Sequence, residues 1–272
     1  MQEWSREMLR WAEMLSPAFL IVSLVAPVGF YARRRRWALW GFGLIAAQAI
    51  ADALGRVLLA GGIGFAIVVC SLVVLTLGFQ NARRIRAAWI KRFMEEPPIR
   101  LEPPFEGRWK GLNTGPWAAR NHHLAARDQW FAVDWVRADR PSRGSRILAP
   151  TGGVVAYVED GHLDKRPRRW IQRDLAQPAG NYVSLRVAGR AEVYLILAHV
   201  EHGSIAVREG QTVRVGDLLG LCGNSGNTSM PHLHIHAQRG ERFAPGASWG
   251  VPLVFGTATV WARPGDEIDG VA

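Results

Sequence analysis

The run Gly223–Gln238, GNSGNTSMPHLHIHAQ, decides how the rest of the chain is read. Gly, Asn and Ser open it as a tight polar turn and Pro231 fixes the entry. His232, Leu233, His234, Ile235 and His236 then alternate with a period of two. Side chains at i and i+2 of a strand share a face, so His232 and His234 project into one space while Leu233 and Ile235 turn toward a core. Two imidazoles on a rigid strand suit a metal site, or a ligand beside a proton-transfer group. A lone His-x-His also occurs on ordinary solvent-facing strands, so its meaning depends on its company.

That company is present. His199 ends the apolar run VYLILAHV (Val193–Val200), and NHHLAARDQWFAVDW (Asn121–Trp135) places His122 and His123 upstream of Asp134. VREGQTVRVGDLLGLCGNSGN (Val207–Asn227) has glycines where a hairpin needs turns and delivers the chain into the His-x-His strand. Together with GVVAYV (153–158), YVSLRV (182–187), TVRVG (212–216) and PLVF (252–255), these runs predict a mostly antiparallel β domain. The Arg-rich interruption between Asp160 and Gly180 reads as a solvated loop.

The first eighty residues have another texture. Residues 1–13 resemble a short interfacial helix; Met14–Ala32 is uncharged and long enough to span a bilayer, and Arg33–Arg36 follow it. Two more apolar stretches, 37–54 and 57–79, flank Gly55 and Arg56, with Asp52 four residues from Arg56 and able to pair with it on a helix. A cleaved signal peptide is disfavoured because acids accompany the bases before the first run, no small-residue cleavage site follows it, and the arginines come after it. The expectation is two or three transmembrane helices within residues 1–92, ending in a basic juxtamembrane helix (Asn81–Arg92). A Pro-rich linker (93–106) and a β domain (107–272) follow. Through Glu96 there are 12 Lys/Arg against 6 Asp/Glu, and beyond it 21 against 17, giving +6 and +4 of the total +10. The first excess sits beside apolar runs, which points to a lipid bilayer as partner; nucleic acid is the weaker reading, because no aromatic-basic stacking pattern accompanies the charge. Two cysteines, Cys70 and Cys222, make no disulfide framework or thiolate zinc site and are expected to pack as small hydrophobes.

The ordered series LAPTGGVVAYVEDG, GNYVSL, LAHVEHGSIAVREGQTVRVGDLLGLCGNSGNTSMPHLHIHAQ and GVPLVF resembles the lysostaphin-type (LytM-like) zinc metallopeptidases, which cut peptide bonds in bacterial peptidoglycan. The resemblance implies an antiparallel β-sheet, barrel-sandwich metallopeptidase domain holding one Zn2+ through His123, Asp134 and His234, with His199 and His232 as catalytic histidines. It also implies peptidoglycan peptides as substrate. One departure stands out: the commoner pattern places the first ligand four residues before the Asp, where this chain has Trp130. NHHLAARDQWFAVD instead looks like a variant branch with an Asn-x-His segment, which favours His123 over the adjacent His122.

The chemistry is coherent without the family. Two neutral imidazoles and one carboxylate leave a fourth position open, the arrangement of catalytic zinc, which acidifies water and polarises a carbonyl. No His-Glu-x-x-His helix supplies a base, so His199 and His232 are the proton-transfer candidates. His162 and His202 read as surface residues, His236 as a wall or supporting residue, Asp128 as part of a loop, and Asn181 and Asn224 as turn residues. A catalytically silent peptidoglycan- or partner-binding regulator is the second reading, opposed by the completeness of the five positions. A biotinyl- or lipoyl-type carrier is excluded because no Lys follows Lys165. The location expected is a multi-pass bacterial cytoplasmic membrane with an extracytoplasmic catalytic domain, although three spans and the positive-inside pattern would place that domain in the cytoplasm.

Overall fold

The computed structural model describes residues 49, 50, 52, 63–166, 174 and 176–270. The first apolar run, the arginine block, nearly all of the second run and Arg56 lie outside the described residues.

Helix α1 (Ile63–Glu95) is 33 residues long, about 50 Å at 1.5 Å per residue. From Ile67 to Phe79 its Ile, Val, Leu and Phe side chains lie largely on the surface, and it is the one described helix long and apolar enough to cross a bilayer. Multiple spans are not shown. Its last turns behave differently. Ile85, Trp89 and Phe93 recur every four residues and form one stripe, which packs with Leu124, Trp130, Phe131, Val254 and Trp261. Trp89 Nε1–H donates to the carbonyl of Trp130 (2.5 Å) and its ring meets Phe131 and Trp261. The basic helix expected beside the membrane is therefore continuous with the apolar helix and docked on the β domain.

Residues 93–106, read from their prolines as a spacer, are packed as well. Strand β1 (Ile99–Leu101) pairs in parallel with β12 (Leu253–Phe255), and Leu101 and Phe105 are wholly buried. Pro97, Pro98, Pro103 and Pro104 flank β1 and limit it to three residues.

The main sheet has nine strands. Eight follow the order β13 (Glu267–Asp269), β2 (Arg108–Gly111), β3 (Val133–Arg137), β10 (Leu233–Arg239), β7 (Val193–Val200), β6 (Asn181–Val187), β5 (Gly153–Glu159), β8 (Thr212–Val213), and β11 (Gly250–Val251) pairs with β10. Every pair in it is antiparallel. A second small sheet joins β4 (Arg146–Leu148) to β9 (Leu218–Leu221). One face of the central strands supplies the core: Val133 and Trp135 from β3, Leu233 and Ile235 from β10, Leu195 and Leu197 from β7, with Cys222 among them. Cys70 instead lies exposed on α1. Because side chains alternate, Asp134, His234 and His236 stand on the opposite face.

Candidate metal centre

Sheet register brings together residues a hundred positions apart. In the β3/β10 pair Asp134 lies directly across from His234, the spacing at which cross-strand side chains touch. On the other side of β10, His234 faces Ala198 of β7, which brings His199 alongside.

Asp134 is held from behind: Asn113 Nδ2 donates to its Oδ2 (2.8 Å), leaving Oδ1 for the site. Three imidazole nitrogens approach that oxygen, His234 Nδ1 at 3.0 Å, His123 Nε2 at 3.2 Å and His232 Nε2 at 3.5 Å. Burial opposes a charge on Asp134, but the facing His123 and His232 outweigh it and hold the carboxyl well below its usual range. Burial pushes His234 down so that it stays neutral.

His123 lies on a one-turn 3-10 helix (His122–Ala125) capped by Asn121, whose Oδ1 accepts from the His123 backbone N–H and whose Nδ2 donates to the Gly115 carbonyl. Its ring is buried and neither nitrogen makes a hydrogen bond. Nε2 has only the off-geometry approach to Asp134 Oδ1 at 3.2 Å; buried nitrogens so poorly satisfied cost a few kcal/mol, and a cation beside Asp134 would remove part of that cost. His122 has its ring 4.1 Å from that of His123, and its nitrogen, with those of His123 and Asp134's oxygen, falls in one group within 4.8 Å, but it lies exposed at the rim. The donor set of buried nitrogens and one carboxylate fits a zinc ion.

His199 and His232 flank this centre, their rings 4.6 Å apart. His199 is a bulge residue. Asn181 pairs with Val200 and Tyr182 with Ala198, so His199 has no partner on β6, and its φ is +64°, an uncommon value outside glycine. The bulge turns its ring toward the site, where Nδ1 lies 2.8 Å from the Ser225 carbonyl. A carbonyl only accepts, so Nδ1 carries the proton and Nε2 presents a lone pair. Burial, with His232 adding, pushes His199 down to about 3. Ser225 is fixed by the quoted turn: Gly180 (φ +61°) and Gly226 (φ +80°) meet so closely that a Cβ on either would collide with the other's backbone. His232 precedes β10 instead of opening it. Its Nδ1 donates to the Met230 carbonyl (2.8 Å), so it too presents Nε2. Burial works against its charge, but Asp134 raises it on balance.

The remaining histidines divide. His162 and His202 pair with Glu159 and Asp160 at the surface. His236 is buried, with Nδ1 2.9 Å from His234 Nε2. Asn181 and Asn224 are buried and satisfy backbone groups of the 161–165 segment. Asp128, expected in a loop, is fully buried in the 3-10 turn Arg127–Gln129, where Oδ1 accepts from the Gly246 N–H (2.5 Å). Asn113 carried no chemical signal in the sequence; only its place opposite Asp134 gives it a role.

Residues 137–245 match the model of Peptidase family M23, whose members are zinc-dependent metallopeptidases. His199, His232 and His234 fall inside that match and His123 and Asp134 just before it. An uncharacterized metalloprotease of Haemophilus influenzae is 35% identical over 95 residues, which are 35% of this chain and 18% of that protein's length. Among solved structures, a zinc-containing peptidase from Vibrio cholerae is 20% identical, covering 58% of this chain and 41% of that one with a TM-score of 0.34. Lysostaphin from Staphylococcus simulans is 19% identical, covering 44% and 40% with a TM-score of 0.32. Over residues 137–245, the chain is thus similar to Peptidase family M23.

Proposed function

We propose that the chain is a membrane-anchored zinc metalloendopeptidase that hydrolyses peptide bonds in peptidoglycan stem peptides or cross-bridges. The observation that supports this best is the convergence of three imidazole nitrogens on Asp134 Oδ1, at 3.0, 3.2 and 3.5 Å, beside a further imidazole on a strained bulge. In this reading His123, Asp134 and His234 hold one zinc; His123 is preferred to His122 because it is buried and its nitrogens have no other partner. When bound, the ion supplies a Lewis acid for the scissile carbonyl and acidifies the attacking water. His232, whose Nδ1–H is held by the Met230 carbonyl and whose Nε2 faces the centre, takes that water's proton and returns it to the leaving amine. His199, kept neutral with Nε2 as acceptor, orients the same water.

The test uses the full chain in detergent micelles, with zinc content and cleavage of peptidoglycan peptides as readouts. Wild type is expected to hold one zinc per chain and to cleave, and His123→Ala to lose the metal. Zinc binding without cleavage of cross-linked or uncross-linked peptides would overturn the enzyme reading in favour of a binding protein.

Such a substrate requires the β domain outside the cytoplasmic membrane. The basic cluster after the apolar part of α1 runs against the positive-inside pattern, but folding gives two of its charges other partners: Arg92 pairs with Glu96 at 2.6 Å and Lys91 with Glu95 at 3.7 Å. A reporter fused after Ala272 is expected to register as extracytoplasmic; a cytoplasmic signal overturns the placement.

A further inference from the structure

We propose that Gln238 and His236 fix the tautomer and ring position of His234, so that the structure assigns them as positioning residues for the metal ligand. The inference rests on the zinc reading above and concerns residues outside its five.

The direction of every proton in this chain of contacts follows from its far end. Gln238 is buried, and its Nε2 donates to two carbonyls, Gly240 O at 2.8 Å and Arg242 O at 2.7 Å, which the turn at Gly240 (φ +114°) brings to one side. Carbonyls cannot donate, so the amide's nitrogen end is settled and Oε1 points the other way, 3.0 Å from His236 Nε2. His236 Nε2 must then carry a proton. The ring is wholly buried against Phe243, and its two nitrogens meet the Gln238 amide oxygen and the His234 ring, neither of them anionic; a second proton would be an uncompensated buried charge, so with Nε2–H committed to Gln238, Nδ1 is left as a lone pair. That nitrogen accepts from His234 Nε2–H at 2.9 Å. His234 is thereby obliged to present Nδ1 as a lone pair, and Nδ1 lies 3.0 Å from Asp134 Oδ1, itself only an acceptor. Two lone pairs facing each other in a dry site repel unless a cation stands between them. Two backbone carbonyls thus select, through two side chains, which nitrogen of His234 is free for metal.

The alternation that put His232 and His234 on one face continues through His236 and Gln238, so the relay runs along β10 on the site's own side. A partner on a ligating imidazole's second nitrogen commonly sets its orientation and basicity, and its loss costs roughly 10- to 100-fold in metal affinity. Elsewhere that partner is a carboxylate or a carbonyl; here it is a second imidazole, itself oriented by an amide.

Zinc dissociation constants would be measured on the full chain in detergent by competition with a chromophoric chelator, beside thermal melts of the metal-free protein. His236→Leu, which fills the space but accepts nothing, is expected to bind zinc roughly 10- to 100-fold more weakly. His236→Gln can accept from His234 and donate to Gln238, and is expected to recover most of that loss while melting no higher than His236→Leu. Equal affinity of His236→Leu and wild type, or of the two variants with each other, overturns the proposal. Should His236→Leu fail to fold, Gln238→Met takes its place, since it keeps His236 but frees its tautomer; weakened zinc binding is expected, and wild-type binding overturns the inference. A wild-type chain that holds no zinc would instead defeat the metal-site reading, an outcome distinct from either.

Discussion

A chain beginning at Gly107 is expected not to fold. That cut looks natural from the sequence, because prolines separate an apolar helix from a β-rich domain, yet it removes part of the domain's interior. Trp89, Phe93, Ile99, Leu101 and Phe105 are all buried, between 0% and 7% exposed. At about 1.5 to 3 kcal/mol for each fully buried side chain, their loss forfeits roughly 7 to 15 kcal/mol, as much as the whole stability of a typical domain. Deletion also strips β12 of its parallel partner and leaves the Trp130 carbonyl without the Trp89 N–H. Because Trp130 Nε1–H in turn donates to the Leu124 carbonyl (3.2 Å), next to His123, the damage reaches the candidate metal centre. A chain beginning at Asn81 keeps all five side chains and leaves out the exposed apolar turns, and is expected to melt cooperatively. Circular dichroism during thermal unfolding checks both; a cooperative transition of similar midpoint in the Gly107 chain would show that α1 only tethers the domain.

What was legible in the sequence and what was not divides along a physical line. The β10 strand could be read because its period of two is local, and with it the opposition of His234 to the Leu233 and Ile235 face. That Asp134 stands across from His234 depends on register between strands a hundred residues apart, which no local pattern contains. The residue resemblance supplied the pairing, and the β3/β10 ladder supplies its geometry. His199 was readable only as the end of an apolar run; its bulge and positive φ arise from a mismatch with β6. The Pro-rich stretch misled because a three-residue strand between proline pairs carries almost no periodic signal. The docking of α1 was more accessible: Ile85, Trp89 and Phe93 recur at helical spacing, and a large apolar stripe on a basic helix is a packing signal as well as an interfacial one. Asp128 and Asn113 were out of reach, since their importance lies in what they touch.

His199→Ala is expected to lower turnover by about 10² to 10⁴ while zinc content stays at the wild-type level. The ring is not among the groups nearest Asp134 Oδ1, so its removal leaves the donor set of His123, Asp134 and His234 complete. What disappears is a neutral imidazole whose tautomer is fixed by the Ser225 carbonyl and whose Nε2 shares the space faced by His232. That arrangement is maintained against cost: a non-glycine residue at φ +64° forfeits on the order of 1 kcal/mol, and Gly180 and Gly226 must pack backbone to backbone to hold Ser225 beneath the ring. Relief of the bulge should make His199→Gly at least as stable as His199→Ala, since glycine takes that φ without strain, yet equally inactive. Loss of turnover in both variants, with zinc retained and melting points no lower than wild type by more than a few degrees, separates a water-orienting histidine from a structural one. If instead His199→Gly cleaves within tenfold of wild type, the bulge serves folding alone and His232 carries the proton transfer without a second imidazole.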